Sequence, residues 1–524
     1  MRPLVALAAA LLLTAVPAAA SAQAPAFAPG ALSGGDRLFP WVGNGGYDAT
    51  HYAIALRHRP QTRRLRATAT MTATATQDLS SFGLDLQGYR VRWVRVDGAP
   101  ARFERRRPRG WRERSKLVVT PAAGIPSGTP FRVTVRYAGR IRPVVDPDGS
   151  WEGAIPTDTG MVVLGEPIGA MGWFPANNTP ADKATFAVTV TVPRGLWGIS
   201  NGALLSRRTR GGWTTHRWRE DSPMAPYLAT ATVGRYDVRR DRSPRGVPLF
   251  NAIDLAANTN RRPWAGHEEV GAPLPAITRD GLRRVRGLLR RQGATLDFLA
   301  SAYGAYPFAS AGAIVANAGY IGYALEVQTK PVYVERGVHA LTHELAHQWW
   351  GNSVGFATWS DIWLAEGFAV WSEWRYEQDV GGSRLTTADR WDRLWKLPER
   401  ERTPDGLRLR DIWKPVIPRR SEDVFGDAVY RRGAMTVEGL RQIVGDDAFW
   451  RILRTWQAER RHATGTTADF VALAERESGM ELDAYFDEWL RRSGKPRIAP
   501  RSLPNARRSA SRSAITRGHM RLAR

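Results

Sequence analysis

Cysteine is absent from the 524 residues of this chain. Disulfide bonds therefore cannot stabilise the fold, and stability has to come from a hydrophobic core and from bound ions. Long apolar runs are almost as scarce. Residues 4–16 form one such run, and no second stretch reaches the length of a membrane-spanning helix. We therefore predict a folded globular protein with no transmembrane span.

The first residues have the organisation of a secretory signal peptide. Met1-Arg2-Pro3 carries the positive charge, residues 4–16 form the apolar stretch, and Ala20-Ser21-Ala22 has the small side chains of a cleavage site. The apolar stretch is too short to span a membrane, and no stop-transfer charges follow it. We predict a signal peptide over residues 1–22 and a linker over 23–45. The expected location is secreted or extracellular, with association to the cell envelope as an open alternative.

Acidic residues are few relative to basic ones. The chain has 50 Asp and Glu against 75 Lys and Arg, a formal charge of +25. This excess predicts weak attraction to anionic envelope polymers and membranes. No recognition helix, aromatic-basic repeat or zinc-finger spacing accompanies it, so we predict no specific binding of nucleic acid. Residues 497–524 hold eight arginines and no acid, which predicts a disordered tail able to tether the protein to an anionic surface.

The hydrophobic pattern divides the remainder into two parts. Residues 46–240 alternate polar and apolar side chains in short runs, such as 64–74 and 131–137, and Asp97-Gly98 after the run 91–96 predicts a hairpin turn. From residue 241 to 496 the apolar spacing becomes helical. We predict an α+β multidomain protein with a β-rich domain first and a mainly helical domain second. The predicted helices are 281–300, the segment around 343–347, 366–376, 430–444, 447–459, 467–477 and one ending near 489–490.

One strand-like region precedes the segment around 343–347. Residues 313–315 and 320–334 keep strand character in this otherwise helical part. A strand at a sheet edge can accept a peptide through main-chain hydrogen bonds. We therefore expect an edge strand beside the chemistry that follows.

The most informative residues are His343, Glu344 and His347, which form an H-E-x-x-H motif. Histidines four apart lie on one helical face, so both imidazoles can reach one zinc ion while the glutamate between them faces a metal-bound water. A bare motif also occurs by chance on ordinary helices. His339, one turn earlier, fits no zinc spacing with Glu344 and is interpreted as a packing residue.

A third zinc ligand follows after a gap of eighteen residues, at Glu366 in a second helical segment. His343, His347 and Glu366 complete a catalytic ligand set that leaves one position open for water. In this interpretation Glu344 is the general base that takes the proton of the water and then passes it to the leaving amine. Tyr430, just before a predicted helix, is the candidate donor to the oxyanion.

This ligand set and its spacing resemble the signature of the aminopeptidase N family of zinc metallopeptidases, the gluzincin group that also includes leukotriene hydrolase. Further similar blocks lie at residues 46–52, 224–229 and 305–308. Tyr430 falls on the oxyanion tyrosine of the family, with Arg432 where a lysine is usual. The resemblance implies a saddle-like β domain followed by a thermolysin-like catalytic domain with one zinc ion.

The same resemblance assigns the binding of the substrate. Tyr323-Ala324-Leu325-Glu326-Val327 stands where the family has Gly-x-Met-Glu-Asn, and only the glutamate is kept. In the family this carboxylate binds the free α-amine of the peptide, and Glu166 is similar in position to its partner from the first domain. Two carboxylates that anchor an ammonium place the scissile bond one residue away. Glu326 and Glu166 are also compatible with ordinary surface charge.

These features predict a secreted zinc aminopeptidase that acts on peptides with a free N-terminus. The helical part ends near residue 496, whereas larger members continue, so the resemblance implies a short bacterial form with a more open cleft that admits larger substrates. Three alternatives remain: a zinc endopeptidase, a noncatalytic peptide-binding protein on the same fold, and an epoxide hydrolase.

Overall fold

A computed structural model describes residues 27–258, 274–334, 340–398, 401–403, 406 and 408–497. The predicted signal peptide, His339 and the predicted tail beyond Arg497 lie outside these ranges. Within them, no helix combines the length and the apolar character that crossing a membrane would require.

The first part of the chain is built of strands, as predicted. In chain order they are β1 (Ala28–Pro29), β2 (Tyr47–Arg59), β3 (Arg64–Ala75), β4 (Leu79–Asp85), β5 (Arg90–Val96), β6 (Ala99–Arg106), β7 (Lys116–Thr120), β8 (Pro130–Arg140), β9 (Pro143–Val145), β10 (Trp151–Pro156), β11 (Met161–Leu164), β12 (Ala184–Pro193), β13 (Trp197–Ser200), β14 (Ala203–Arg210), β15 (Trp213–Met224) and β16 (Ala231–Gly234). Eleven strands form a large sheet in the order β1-β4-β7-β6-β5-β8-β3-β2-β12-β15-β14. The other five form a sheet in the order β13-β16-β11-β10-β9.

Alternation explains how the large sheet packs. Strand β3 buries Leu65 and Met71 on one face and leaves Arg64 and Arg66 exposed on the other. Its antiparallel neighbours β2 and β8 repeat this pattern, so one face of the sheet forms the core and the other meets solvent. Asp97 and Gly98 both have positive φ between β5 and β6, which confirms the predicted hairpin turn.

The described part of the predicted linker, residues 27–45, is packed rather than free. Phe39 is fully buried, and the Asp36 carboxylate accepts a hydrogen bond of 2.7 Å from the backbone N–H of Trp359 in the second part of the chain. Strand β1 also pairs with β4. The prediction of a linker is wrong for these residues, because their scattered apolar side chains have no period that marks them as core.

The second part of the chain combines a small sheet with helices. Its strands are β17 (Tyr236–Arg242), β18 (Pro248–Asp254), β19 (Ala311–Val315), β20 (Val332–Tyr333), β21 (Gly355–Phe356) and β22 (Thr464–Gly465). Its helices are α1 (Arg279–Leu289), α2 (Gln292–Tyr303), α3 (Leu341–Ala346), α4 (Trp363–Asp379), α5 (Thr387–Lys396), α6 (Leu409–Ile412), α7 (Gly433–Val444), α8 (Asp446–Glu459), α9 (Thr467–Ser478) and α10 (Asp483–Leu490). Strands β17, β18, β19 and β20 form one sheet in that order. Strand β17 runs across the predicted domain boundary between residues 240 and 241, which stays a prediction.

Two sequence predictions differ from this part of the structure. The predicted helix 281–300 is divided into α1 and α2. The predicted strand 320–334 is a strand only over β20, with a single bridge between Leu325 and Val332. The chain turns back between these two residues, where Thr329 has a φ of 67° and Lys330 N–H donates to Val327 O. A tight turn inside an apolar segment leaves its periodicity intact, so the pattern alone suggests one long strand.

A half-buried lysine joins the two parts of the chain next to the zinc motif. The Lys183 ammonium, from the first part, donates to Asn352 O and Ser353 O at 2.8 Å each and to Ala463 O at 3.3 Å. Three carbonyl acceptors match the three N–H bonds of an ammonium group. This contact holds the segment after α3 against the β-rich part.

Candidate active site

The three predicted zinc ligands meet where α3 faces α4. His343 Nε2 lies 3.1 Å and His347 Nε2 3.4 Å from Glu366 Oε2. One ligand atom from each residue lies within 4.8 Å of the others, which is close enough for a single metal ion. His343 lies in α3 and His347 caps the C-terminal end of that helix, one turn later, whereas Glu366 comes from the first turn of α4. Two imidazoles and one carboxylate are a ligand set that suits zinc.

Hydrogen bonds outside this set orient the imidazoles. His347 Nδ1 is 3.0 Å from Trp350 O, a carbonyl that can only accept, so Nδ1 carries a proton and Nε2 is the nitrogen available to a metal. His343 Nδ1 lies 3.5 Å from a carboxylate oxygen of Glu373. Glu373 was not predicted from the sequence. Its signal was the spacing of seven residues after Glu366, which is two helical turns along the same face of α4.

Burial and charge shape the protonation of the ligand set. Burial lowers the pKa of His347, but the carboxylates of Glu366 and Glu326 outweigh this effect and raise it to about 8. Burial raises the pKa of Glu366, but the charge of His347 and the hydrogen bond from His343 have the larger effect and lower this pKa to about 2. The cluster therefore carries an ionised carboxylate that is ready to serve as a ligand.

Glu344 is 4% exposed and lines the same cavity as the three ligands. Burial raises its pKa to about 8, although His343 and His347 oppose the shift, and Glu326 and Glu366 add to it. A carboxyl group with a pKa near neutrality is suited to accept and return a proton. The structure thus places the predicted general base beside the predicted ligands.

The two predicted amine-binding carboxylates lie in this cavity as well. Glu326 is 2% and Glu166 9% exposed, and one oxygen of each, Oε1, has no hydrogen-bond partner in the described part of the molecule. Burial raises the pKa of Glu166 well above its usual value, and the charge of Glu326 raises it further. Unpaired buried carboxylates are costly, so this pair suits a cationic ligand.

Side chains that follow the zinc motif position Glu326. Its backbone carbonyl accepts hydrogen bonds from Gln348 Nε2 at 3.2 Å and from Asn352 Nδ2 at 2.6 Å. Gln348 Oε1 also accepts from the backbone N–H of Thr329 at 2.8 Å. The turn that carries Glu326 is therefore fixed to the end of α3. Neither amide was predicted from the sequence, because polar residues next to a motif carry no signal of the segment that they contact.

Tyr430 reaches the cavity from one turn of π-helix, Ala428–Arg432, that leads into α7. Its ring centroid lies 6.1 Å from that of His343, with the ring planes 22° apart. A Cβ on Gly367 would lie 2.9 Å from the backbone of Gly433, so only glycine permits this approach of α4 and α7. This close contact brings the turn with Tyr430 next to the turn with Glu366.

Arg432 anchors the same turn through hydrogen bonds of its side chain. The side chain is fully buried, and its guanidinium donates to the carbonyls of Trp413, Lys414, Glu488 and Gly494. The guanidinium binds four carbonyls in a planar arrangement, which an ammonium group could not reproduce. Arg432 stands where the resemblance leads us to expect a lysine. It anchors the turn that carries Tyr430 and does not itself contact the reacting atoms.

The cavity has a volume of about 310 Å³. Besides the residues above, its wall includes Asp146, Asp148, Ser150, Tyr323 and Phe425. Burial, followed by a hydrogen bond shared with Asp148, raises the pKa of Asp146 to about 8. The Tyr323 hydroxyl donates to Trp151 O at 2.7 Å, which leaves the ring as the part of Tyr323 that faces the cavity. Among the described residues that line it, all the formal charge is acidic apart from the histidines.

Comparison with known proteins gives two matches to family models. Residues 48–228 match the peptidase M1 N-terminal domain, and residues 310–489 match the peptidase family M1 domain. Aminopeptidase M1 of Arabidopsis thaliana is 26% identical over 352 residues, which cover 64% of this chain and 37% of the plant protein. Human glutamyl aminopeptidase is 24% identical over 368 residues, which cover 65% of this chain and 35% of the human protein. The match thus spans little more than a third of these relatives.

Solved structures match over almost the whole chain. A mutant M1 zinc metallopeptidase from Deinococcus radiodurans, bound to a Tyr-Ser-Ala substrate, superposes with a TM-score of 0.73 at 26% identity. The match covers 90% of this chain and 100% of that one. A two-domain M1 zinc metallopeptidase mutant bound to L-arginine gives a TM-score of 0.72, with 89% and 99% covered.

Proposed function

The chain belongs to the peptidase M1 family, and on that premise we propose that it is a zinc-dependent aminopeptidase. It hydrolyses the first peptide bond of peptides that have a free N-terminus. One observation carries this proposal: the unpaired, buried carboxylates of Glu326 and Glu166 share a cavity with the zinc-ligand set and with Glu344. An ammonium group held by these two carboxylates leaves the first carbonyl within reach of the ligand set.

Each group of residues in the cavity has one role in the proposed hydrolysis. His343, His347 and Glu366 would hold a zinc ion, which would supply a Lewis acid able to acidify water, polarise the carbonyl and lower the pKa of nearby carboxyls. Glu344 removes a proton from the attacking water and returns it to the leaving amine. The Tyr430 hydroxyl donates to the oxygen that becomes negative as the carbonyl is attacked. Burial, followed by the charge of Glu366, raises the pKa of Tyr430 well above its usual value, so the hydroxyl keeps its proton.

The direct test is hydrolysis of aminoacyl fluorogenic amides beside their N-acetylated partners. Each is measured with a zinc chelator and after zinc is added back. We expect cleavage of the free-amine compounds alone, lost with the chelator and restored by zinc. Cleavage of acetylated peptides would identify an endopeptidase instead, and zinc binding without any cleavage would identify a peptide-binding protein.

Glu326→Gln is expected to lower kcat/KM for free-amine substrates by about 10-fold to 100-fold, because the acceptor of the ammonium group loses its negative charge. The preference for a free amine over an acetylated one should shrink by the same factor. Steady-state kinetics on both substrate forms measures this change. Glu422→Gln, at an exposed glutamate of the same part of the chain, is the matched control. An unchanged preference in Glu326→Gln would remove the assignment.

Tyr430→Phe is expected to lower kcat by about 10²-fold to 10³-fold, with KM and zinc content nearly unchanged, because one donor to the oxyanion is lost. Single-turnover kinetics together with metal analysis separates these quantities. Tyr306→Phe is the control, since the Tyr306 hydroxyl donates to Ser310 O away from the cavity. Full activity in Tyr430→Phe would assign the donor elsewhere.

The acidic wall predicts the preferred first residue. Asp146 and Asp148 line the cavity beside Tyr323 and have no part in the zinc or amine sites. We expect arginine and lysine amides to be cleaved about 10-fold better than leucine amides, because a cationic side chain pairs with this wall. In Asp148→Asn the advantage should fall while leucine amides are cleaved as before. Equal rates for arginine and leucine amides in the unmodified protein would contradict the expectation.

We also propose that the protein is exported from the cell. It is supported by the charged, apolar and small-residue order of residues 1–22, which lie outside the described ranges. N-terminal sequencing of protein recovered from the culture medium tests it, with a new N-terminus near Gln23 as the expected result. Association with envelope polymers through residues 497–524 is proposed on their charge alone.

A further inference from the structure

We propose that the solvent-facing side of the large sheet is a binding surface for anionic phospholipid headgroups. The proposal concerns a site far from the zinc ligands in sequence, and it is independent of the peptidase activity. It rests on the register of strands β2, β3, β8 and β5, which places arginines beside one another across the sheet.

Two rows of arginine cross these strands. In the first, Arg64 on β3 is opposite Arg59 on β2 and also opposite Arg140 on β8. In the second, Arg66 on β3 is opposite Arg57 on β2. Residues that are opposite in register project from the same face of a sheet, about 5 Å apart. All five side chains are exposed.

These arginines are not neutralised by acidic residues. None of the five has an ion pair with a carboxylate in the described part of the chain. Like charges directly opposite each other destabilise a strand pair, so the arrangement is unfavourable unless an anion binds. Among the described strands, arginines lie opposite each other in register only in these two rows.

A groove of about 200 Å³ lies among these arginines. It is lined by Arg57, Arg59, Arg64 and Arg66, together with Thr62 and Trp213. The Arg57 guanidinium lies over the Trp213 ring at 3.5 Å from its centre, which restricts the side chain to one side of the groove. Guanidinium groups bind phosphate through paired N–H bonds, and this geometry provides several of them at once.

The extent of the surface favours a lipid surface over a linear polyanion. The next row along the strands carries Arg136 on β8, opposite Trp93 on β5, so positive charge extends both across and along the strands. A two-dimensional array of cations matches a two-dimensional array of headgroups, whereas a linear polymer would use one row. Trp93 and Trp213 add the indole rings that are favoured where apolar and aqueous phases meet.

The test is co-sedimentation of the full chain with vesicles of phosphatidylcholine that contain increasing fractions of phosphatidylglycerol. The variant R57Q/R59Q/R64Q/R66Q removes the groove charges. The matched control R284Q/R290Q/R291Q/R384Q removes four exposed arginines of the second part of the chain, which likewise form no ion pair among the described residues. Circular dichroism and amide hydrolysis show that both variants are folded.

We expect the unmodified chain to bind phosphatidylglycerol vesicles and not pure phosphatidylcholine. The groove variant should bind at least about 10-fold more weakly, with a shallower dependence on salt, while the control stays within about 3-fold. Equal losses in the two variants would show that net charge alone acts, and would overturn the proposal. Binding of heparin or single-stranded DNA without binding of the vesicles would assign the surface to a linear polyanion, which also overturns it.

Discussion

Glu344→Gln is expected to lower kcat by about 10²-fold to 10⁴-fold while the protein keeps its zinc. Glutamine has the size of glutamate and keeps a carbonyl oxygen, but it cannot take a proton from water at any pH near neutrality. The three zinc ligands are unchanged, so the metal site should remain. Rapid-quench kinetics on an aminoacyl amide, combined with metal analysis of the same sample, measures both effects.

The control for this substitution is a second buried glutamate. Glu438 is 1% exposed and accepts a hydrogen bond of 2.9 Å from Trp371 Nε1, outside the cavity. Glu438→Gln keeps an acceptor for that bond and should leave kcat within about 3-fold of the original value. If Glu344→Gln turned over substrate at the original rate, the general base would have to be another group.

His347→Ala is expected to abolish both zinc binding and hydrolysis. Zinc content should fall from one ion per chain to below about 0.1 after dialysis, because two ligands bind zinc far more weakly than three. The missing zinc ion would also have offset the charge of the Glu366 carboxylate, which is 3% exposed. Because the variant no longer binds zinc, its thermal midpoint should no longer rise when zinc is added. Metal analysis and calorimetry with and without zinc measure these two effects.

His51→Ala is the matched control for the ligand substitution. His51 lies on β2, far from the cavity in sequence, and its Nδ1 is 2.7 Å from Thr185 Oγ1. This variant should keep one zinc ion and a zinc-dependent thermal midpoint. Stoichiometric zinc in His347→Ala would mean that the ion binds elsewhere in the chain, and the ligand assignment would fail.

Local spacing accounts for the predictions that the structure supports. The i, i+4 relation of His343 and His347 follows from helical geometry, and the hairpin at Asp97 and Gly98 follows from turn chemistry. Period-two alternation likewise predicts β3 almost to its ends and the central part of β8, residues 131–137. In each of these elements the determining contacts lie within a few residues along the chain, so the pattern is readable without the fold.

The errors arise where distant contacts decide the outcome. Residues 27–45 have no regular period, yet Phe39 is buried, with its ring against that of Trp359 from the second part of the chain. The segment 320–334 has the composition of a strand, but it turns back at Thr329 to bridge Leu325 with Val332. Neither outcome is encoded in a local pattern, since each depends on which surface the segment packs against.

The sequence by itself determined the fold class, the chemistry of the ligands and the identity of the candidate base, because residue type and short-range spacing specify all three. Only the tertiary structure decided that Glu373 orients His343, that Gln348 and Asn352 hold Glu326 in place, and that Arg432 supports Tyr430. It also brought Glu166 and Glu326, which are 160 positions apart by the numbering of the chain, into one cavity. Such arrangements depend on distances between elements that are remote in sequence, and these distances exist only once the core has packed.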